Sequence, residues 1–157
     1  MMKRLLCVVV AAALAGMLTV DDAHAQRHPG SLGIGVGSTT LASGLSIKSI
    51  AGPSAFQLVA GCWGGCDGVA VSIDALATMP PLVVHEALLL GWNFGFGGAL
   101  GVGDDRFGAA GAFVAGLEFI MRPLPIDLVL EWRPSVRILP DVDVEPVTFG
   151  GHLRFYP

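Results

Sequence analysis

The sequence predicts an all-β fold, and more specifically an eight-stranded antiparallel up-and-down β-barrel. Three observations lead to this prediction. Large apolar residues alternate with small or polar residues along most of the chain, with the period of two that is typical of strands. Turn-forming residues separate the alternating stretches. The 22 glycines and 10 prolines disfavour a helical bundle, because both residue types weaken helices.

The composition indicates one domain with an unusually apolar chain. Of the 157 residues, 53% are hydrophobic and only 14% are charged, whereas about 25% charged residues is usual for a soluble domain. The formal net charge of −4 offers no basic surface for nucleic acid, so we expect no nucleic-acid partner.

The first 25 residues have the pattern of a cleaved secretory signal peptide. Lys3 and Arg4 precede an apolar run over residues 5–20, and Ala-His-Ala at 23–25 is typical of a cleavage site. An uncleaved anchor helix is the alternative. We therefore expect export beyond the inner membrane of a bacterium and a mature domain of residues 26–157.

The first half of this domain contains four predicted strands, at residues 30–39, 42–51, 54–64 and 67–78. The first strand alternates Leu, Ile and Val with glycine, and the second alternates Leu and Ile with Ser and Lys. The third and fourth set large apolar residues against Gln, Ser, Ala and Asp. This alternation predicts strands with two different faces.

The second half contains four more predicted strands, at residues 86–102, 107–122, 126–138 and 146–156. The stretch 87–103 is uncharged for 17 residues, which is close to the lower length limit of a membrane-spanning helix. It contains six glycines, each of which costs a helix about 1 kcal/mol relative to alanine. Its Trp and Phe residues alternate with Gly and Asn, so we predict a strand there.

Turn sequences join the predicted strands, at residues 52–54, 79–81, 103–106, 122–125 and 139–146. Consecutive strands connected by short turns pair antiparallel. An even number of such strands can close into a barrel that has no free edge.

The two faces of the predicted barrel differ in a way that favours lipid. The more polar face consists mainly of Gly, Ala and Ser with a few charges, which suits the narrow interior of an eight-stranded barrel. The large aliphatic and aromatic residues then face outward, as in a transmembrane β-barrel, whose closure pairs every backbone group. The alternative is a soluble periplasmic lipocalin-like barrel that binds a small apolar ligand. Without Lys3 and Arg4, however, the nine basic residues fall to seven in residues 26–157, which is few for a soluble surface.

Several segments also resemble a family, the small porin-like outer-membrane β-barrel proteins of bacteria. The glycine-rich stretch from residue 88, "GLEF", "PLPIDLVLEWRPSVRILPDVD" and the final "GGHLRFY" resemble the C-terminal half of these proteins. "GIGVGSTTLASGLSIK" resembles their first hairpin, so the resemblance covers most of residues 31–157. It implies an outer-membrane location and supplies no catalytic residues. We expect a monomer whose partners are outer-membrane lipid and the barrel insertion machinery.

The inward face of the last three predicted strands carries a set of titratable side chains, namely Glu118, Arg122, Asp127, Glu131, Arg133, His152 and Arg154. Lys48 and Asp74 occupy the same face of earlier strands. Because buried charges persist only when they are paired, we expect a charge network that plugs the lumen of a barrel of structural or surface-interaction type. A narrow passive pore is the alternative, although eight strands leave little room for one.

No residue pattern predicts an enzyme, a cofactor or a metal. No Ser is adjacent to His152 in the sequence, although a pair formed across strands stays open, and a nucleophilic Ser needs such a base. Cys62 and Cys66, in "CWGGC", form a disulfide or stay reduced at a strand end. One cysteine pair without a nearby His does not make a closed zinc site.

Overall fold

The computed structural model describes residues 29–63, 66–103 and 106–157 of the protein. In these ranges the structure is all-β, with no α-helix. No helix in the described part of the chain is long and apolar enough to cross a membrane. The predicted signal peptide at residues 1–25 lies outside the described residues.

In the described part of the chain, eleven strands follow one another: β1 (Leu32–Ser38), β2 (Ala42–Ala51), β3 (Ser54–Trp63), β4 (Gly68–Thr78), β5 (Val83–Val84), β6 (Leu88–Gly103), β7 (Arg106–Met121), β8 (Ile126–Trp132), β9 (Ser135–Leu139), β10 (Asp143–Glu145) and β11 (Phe149–Phe155). They match the predicted strands to within a few residues, apart from the additions and the break described below.

Eight of these strands close into one barrel. β1, β2, β3, β4, β6, β7, β8 and β11 each pair antiparallel with both neighbours in that order, and β11 pairs back with β1. At the closing seam Ile34 lies opposite Phe155 and Ser38 lies opposite Gly151. The prediction of an eight-stranded antiparallel up-and-down barrel is therefore confirmed.

The three short strands extend this wall. β5 pairs with the start of β6, where Val83 lies opposite Leu90. β9 continues the line of β8 along β7, and the two are separated at Arg133 and Pro134 because proline has no N–H to donate to the ladder. β10 pairs with β9 as a hairpin. The prediction that residues 139–146 form only a turn was therefore wrong, since part of this stretch alternates Asp with Val and forms a strand.

The barrel has two different ends. The terminal end contains residues 29–31, the C-terminus and the connections at 52–53, 79–87 and 122–125; Gly30 N donates to Ile50 O, and Tyr156 N donates to Pro125 O. The hairpin end, opposite to it, contains the connections after β1, β3 and β6, together with the β9–β10 hairpin. At the hairpin end, β6, β7 and β9 therefore extend the sheet beyond the other barrel strands.

The distribution of side chains is the reverse of that in a soluble barrel. The buried polar and charged side chains include Ser46, Lys48, Gln57, Ser72, Asp74, Asn93, Glu118, Asp127, Glu131, Arg133, Ser135, His152 and Arg154. Thirty large hydrophobic side chains of the described residues are exposed, among them Phe56, Phe96, Leu128 and Phe149. The eleven buried hydrophobic residues include five alanines. The larger side chains of the interior are therefore mostly polar.

Candidate functional site: the polar lumen network

The polar side chains inside the barrel are joined by hydrogen bonds and ion pairs, and we call them together the lumen network. Its members are Ser46, Lys48, Gln57, Asp74, Asn93, Glu118, Asp127, Glu131, Arg133, His152, Arg154 and Tyr156. All except the half-buried Tyr156 are at most 2% exposed. Seven wall strands contribute to the network, which therefore spans the lumen.

Arg133 lies at the centre of the network between two carboxylates. Its Nη2 donates to Asp74 Oδ1 at 2.7 Å, and its Nη1 donates to Asp74 Oδ2 at 3.0 Å. Nη1 also donates to Glu131 Oε2 at 2.7 Å. The paired contacts with Asp74 are a bidentate Arg–carboxylate interaction, which is among the stronger hydrogen-bonded pairs in proteins. This interaction joins β4 to the end of β8 across the lumen.

Gln57 and His152 connect this centre to the opposite wall. Gln57 Nε2 donates to Asp74 Oδ2 at 2.9 Å and lies 3.1 Å from Glu131 Oε1. His152 Nε2 lies 3.1 Å from Glu131 Oε2, and His152 Nδ1 lies 3.0 Å from Ser46 Oγ. The neutral side chains of Gln57 and Ser46 therefore connect ionisable side chains that come from different strands.

Two further groups complete the network. Lys48 forms an ion pair with Glu118, which also accepts a hydrogen bond of 2.6 Å from Asn93 Nδ2. On the other side, Arg154 Nε donates to Ser46 Oγ at 2.9 Å, and Arg154 Nη2 donates to Gln57 Oε1.

Asp127 joins the network at the C-terminal strand. Its Oδ2 lies 3.9 Å from Arg154 Nη1 and accepts a 3.0 Å hydrogen bond from Tyr156 Oη. Asp127 and Arg154 are also direct cross-strand partners, a position in which opposite charges attract.

A glycine lies beside nearly every large polar side chain of the network. The cross-strand pairs are Lys48 with Gly33, Arg154 with Gly35, His152 with Gly37, Asp74 with Gly97, Glu118 with Gly91, and Glu131 with both Gly116 and Gly150. A Cβ added at Gly37 or Gly97 would collide with the facing His152 or Asp74 side chain. The glycines thus provide the space that the charged groups occupy.

The charges of the network nearly balance. Lys48, Arg133 and Arg154 contribute three positive charges, and Asp74, Glu118, Asp127 and Glu131 contribute four negative ones, so the sum is −1 when His152 is neutral. Among the described residues, a few buried polar atoms have no hydrogen-bond partner, including Ser72 Oγ, Asn93 Oδ1 and Arg133 Nε. The pairing is therefore extensive but incomplete.

Ser46, His152 and Glu131 are arranged in a chain of the kind that activates a nucleophile. Sequence adjacency could not detect this pair because Ser46 is on β2 and His152 is on β11. The Ser46 hydroxyl also accepts a hydrogen bond from Arg154, and all three side chains are at most 2% exposed. A substrate carbonyl needs free space about 3 Å from the nucleophile, and this lumen position is filled by neighbouring side chains. The geometry therefore favours a structural role for this chain.

Six of the seven predicted lumen residues lie inside the barrel: Glu118, Asp127, Glu131, Arg133, His152 and Arg154. Arg122 does not, and its predicted place in the lumen was wrong. β7 ends at Met121, and Arg122 is exposed in the turn at 122–125, where its backbone N–H donates to Ala87 O. Glu118 forms its ion pair with Lys48 of β2. Sequence reasoning also missed the bridging roles of Ser46, Gln57 and Asn93, although alternation places each of them on the inward face.

Two features lie outside the network. Cys62 and Cys66 form a disulfide with a Cα–Cα distance of 4.5 Å at the hairpin end. Beside it, the Trp63 ring lies against Gly101 and Gly108 and packs on the apolar cluster of Ala42, Val59 and Ala70. Among the described residues, no group of three or more His, Cys, Asp or Glu side chains is arranged to hold a metal ion.

The outer wall has an open apolar groove of about 370 Å³. Leu82, Trp92, Ala115 and Leu117 contribute to its lining. Asn93 and Gly116, which alternate with Trp92 and Leu117 along the two strands, complete the lining. The groove therefore adjoins the lumen network at Asn93.

Comparisons of the chain with protein-family models, with curated proteins and with solved structures found no match.

Proposed function

We propose that this protein is an integral outer-membrane β-barrel of structural or surface-interaction type, with a lumen sealed by the charge network. One observation carries the proposal: the polar side chains are buried and the large apolar side chains are exposed around the barrel. In water this arrangement is unfavourable, because exposed apolar area costs about 25 cal/mol per Å². In a bilayer the same outer surface meets hydrocarbon, and the closed ring of strands pairs each wall strand with a neighbour on both sides.

The exterior aromatic residues add support for a lipid environment. Phe113 packs edge-on against both Phe96 and Trp132, with ring centroids 5.5 and 6.2 Å apart. Trp132 also donates its indole N–H to Pro146 O. Aromatic residues with one polar contact are typical of the boundary between hydrocarbon and headgroups. This cluster lies towards the hairpin end.

The lipocalin-like alternative needs an apolar interior cavity for its ligand. The centre of this barrel is instead occupied by the side chains of Gln57, Asp74, Glu131, Arg133 and His152, which bond to one another. An apolar ligand would have to displace these contacts. The polar interior therefore favours the membrane-inserted barrel over the soluble ligand carrier.

Membrane extraction combined with gel mobility tests the proposal. The full chain, produced in a Gram-negative host, should sediment with outer membranes and resist extraction by alkaline carbonate. Without boiling, it should migrate on a denaturing gel at a different position from the boiled sample, because a closed membrane barrel resists detergent unfolding. A protein found in the soluble periplasmic fraction, with one mobility before and after boiling, would favour the lipocalin-like alternative.

A further inference from the structure

The β9–β10 hairpin projects from the barrel and ends in an exposed strand edge. β10 pairs with β9, with Asp143 opposite Arg137 and Glu145 opposite Ser135. On its other side β10 pairs with no strand of the part of the chain that the structure describes. Such an edge offers backbone N–H and C=O groups to an added strand.

β10 and the two residues before it read Asp-Val-Asp-Val-Glu over residues 141–145, so acidic and apolar side chains alternate there. Val142 and Val144 are 77% and 63% exposed. Asp141 and Asp143 are exposed on the alternate positions, and neither forms an ion pair within the described ranges. Glu145 pairs with Arg137 of the neighbouring strand, which also lies opposite Asp143 in the ladder. The hairpin therefore presents two carboxylates that form no ion pair within the described ranges, beside two exposed valines.

A second copy of the same strand is a poor occupant of this edge. Antiparallel pairing of two β10 strands about Val144 would set Asp143 of one copy opposite Glu145 of the other. Like charges directly opposite each other destabilise a strand pair. The acids therefore disfavour self-association and leave the edge available to a strand of opposite charge.

We propose that the free edge of β10 is a docking site for an extended segment of another protein in which Lys or Arg alternates with Val, Ile or Leu. Backbone hydrogen bonds would add the segment to the sheet, as in other cases of strand addition. Its basic side chains would face Asp141 and Asp143, and its apolar side chains would face Val142 and Val144. This inference rests on the proposed function, because the hairpin must project beyond the lipid to meet a partner.

The flanking prolines limit the length of the docked segment. Pro140 and Pro146 border residues 141–145 and cannot donate backbone hydrogen bonds. A segment of about five residues then forms few backbone hydrogen bonds, each with a small net stabilisation. The partner is therefore held transiently, and the charge pattern provides most of the selectivity.

Peptide binding to the purified full-length barrel in a non-ionic detergent tests the proposal. The probe is a fluorescent peptide Lys-Val-Lys-Val-Lys-Val, compared with Lys-Lys-Lys-Val-Val-Val and with Glu-Val-Glu-Val-Glu-Val. Fluorescence anisotropy should show binding of the alternating basic peptide at least about fivefold tighter than of either comparison peptide. The double variant Asp141→Lys/Asp143→Lys should reverse the preference in favour of the acidic peptide.

A matched control separates a local site from general charge attraction. The double variant Asp67→Lys/Glu86→Lys makes the same charge change away from β10, and it should bind the basic peptide within about twofold of the wild type. Amide hydrogen exchange should show new protection within residues 143–145 when the basic peptide is added. Equal binding of the alternating and block peptides, no new amide protection, or dimerisation without peptide would overturn the docking site.

The same samples distinguish failure of this inference from failure of the proposed function. Heat-modifiable mobility is recorded for the wild type and for every variant before binding is measured. A folded barrel that does not bind the alternating peptide contradicts the docking site alone. A wild-type chain without heat-modifiable mobility contradicts the membrane barrel, and with it the location on which the docking site depends.

Discussion

Inside this barrel, several glycines are the cross-strand partners of charged residues. Gly97 lies opposite Asp74, and an added Cβ would meet the Asp74 carboxylate and Ile73 O. Gly111, by contrast, points outward and has no atom within 4 Å of an added Cβ. The same residue type therefore has different consequences on the two faces of the wall.

We predict that Gly97→Ala lowers the free energy of unfolding by about 1–3 kcal/mol, because overpacking forces side chains away from their positions. Gly111→Ala, on the neighbouring strand β7 and facing open space, should change it by less than about 0.5 kcal/mol. Urea unfolding in detergent micelles, followed by tryptophan fluorescence, measures both. Equal midpoints for the two variants would contradict a role for Gly97 in accommodating Asp74.

Glu131 contacts three other members of the lumen network. It accepts a hydrogen bond from Arg133, lies beside His152 and contacts Gln57. Its removal leaves the buried Arg133 guanidinium with Asp74 as its remaining carboxylate partner. Breaking a buried ion pair from one side costs about 3–5 kcal/mol.

We predict that Glu131→Ala lowers the free energy of unfolding by about 3–5 kcal/mol, measured by the same urea unfolding experiment. Glu131→Gln should cost less, because the amide oxygen can still accept a hydrogen bond from Arg133. Glu86→Ala, at an exposed site on the terminal end, serves as the control and should stay within about 0.5 kcal/mol of the wild type. A Glu131→Ala barrel as stable as the Glu86→Ala barrel would exclude the network as a source of stability.

β8 separates the two faces clearly. Asp127, Val129 and Glu131 are buried, whereas Leu128, Leu130 and Trp132 are exposed. A charge on the exposed face enters hydrocarbon if the barrel is inserted in a membrane. A charge at the end of the barrel stays near water.

We predict that Leu128→Arg impairs insertion and destabilises the inserted barrel by up to about 2–4 kcal/mol, the cost of Arg near the bilayer midplane. Leu124→Arg, in the turn at the terminal end, should insert nearly as well as the wild type because charges near the interface cost about 0–1 kcal/mol. Folding into lipid vesicles, followed by heat-modifiable mobility, compares the two. Wild-type insertion of Leu128→Arg would argue against lipid on this face.

The disulfide belongs to the turn between β3 and β4. It joins residues only four positions apart, so it restricts a very short loop in the unfolded chain. The chain-entropy model gives about 2 kcal/mol for a loop of this length.

We predict that the Cys62→Ser/Cys66→Ser variant still folds and loses at most about 2 kcal/mol of stability. Addition of a reductant should lower the midpoint of the wild type and leave that of the variant unchanged. Urea unfolding with and without reductant measures both effects. Failure of the double variant to fold would assign the disulfide a larger role than turn stabilisation.

At the scale of the whole molecule, the lumen network and the Trp63 ring obstruct the barrel at different positions along its axis. The network joins opposite walls through Arg133, Gln57 and His152. Trp63 lies across Gly101 and Gly108 near the hairpin end. An ion would have to displace bonded charges as well as an indole ring.

We predict that the purified wild-type protein shows no steady conductance in planar bilayers. The variant Trp63→Ala/Asp74→Ala/Glu131→Ala/Arg133→Ala removes the indole ring and the three central charges together, so no unpaired charge of that group remains, and it should conduct if it folds. Single-channel recordings test both proteins, and heat-modifiable mobility establishes that each is folded. A reproducible channel formed by the wild type would favour the narrow passive pore over the plug.

The sequence by itself determined the strand order, the two faces and the identity of most inward charges. Period-two alternation assigns each residue to a face from its parity alone, which is why Glu118, Asp127, Glu131, Arg133, His152 and Arg154 were identified correctly. Arg122 was misassigned because parity continues through a strand end, whereas the chain leaves the ladder at Met121. Residues 139–146 were predicted to be a turn because the prolines near both ends of this stretch are typical of turns, and the strand β10 between them is short.

Only the tertiary structure decided which charges meet. Partners in the lumen come from strands far apart in the chain, such as Lys48 with Glu118 and Arg133 with Asp74. Their pairing depends on the register of each strand pair and on the reach of side chains across a closed circle. The odd or even position of a residue in the sequence specifies neither the register nor the reach of its side chain. The glycines opposite most of these charges can be identified only when the register is known, because cross-strand neighbours are set by backbone hydrogen bonds between distant segments.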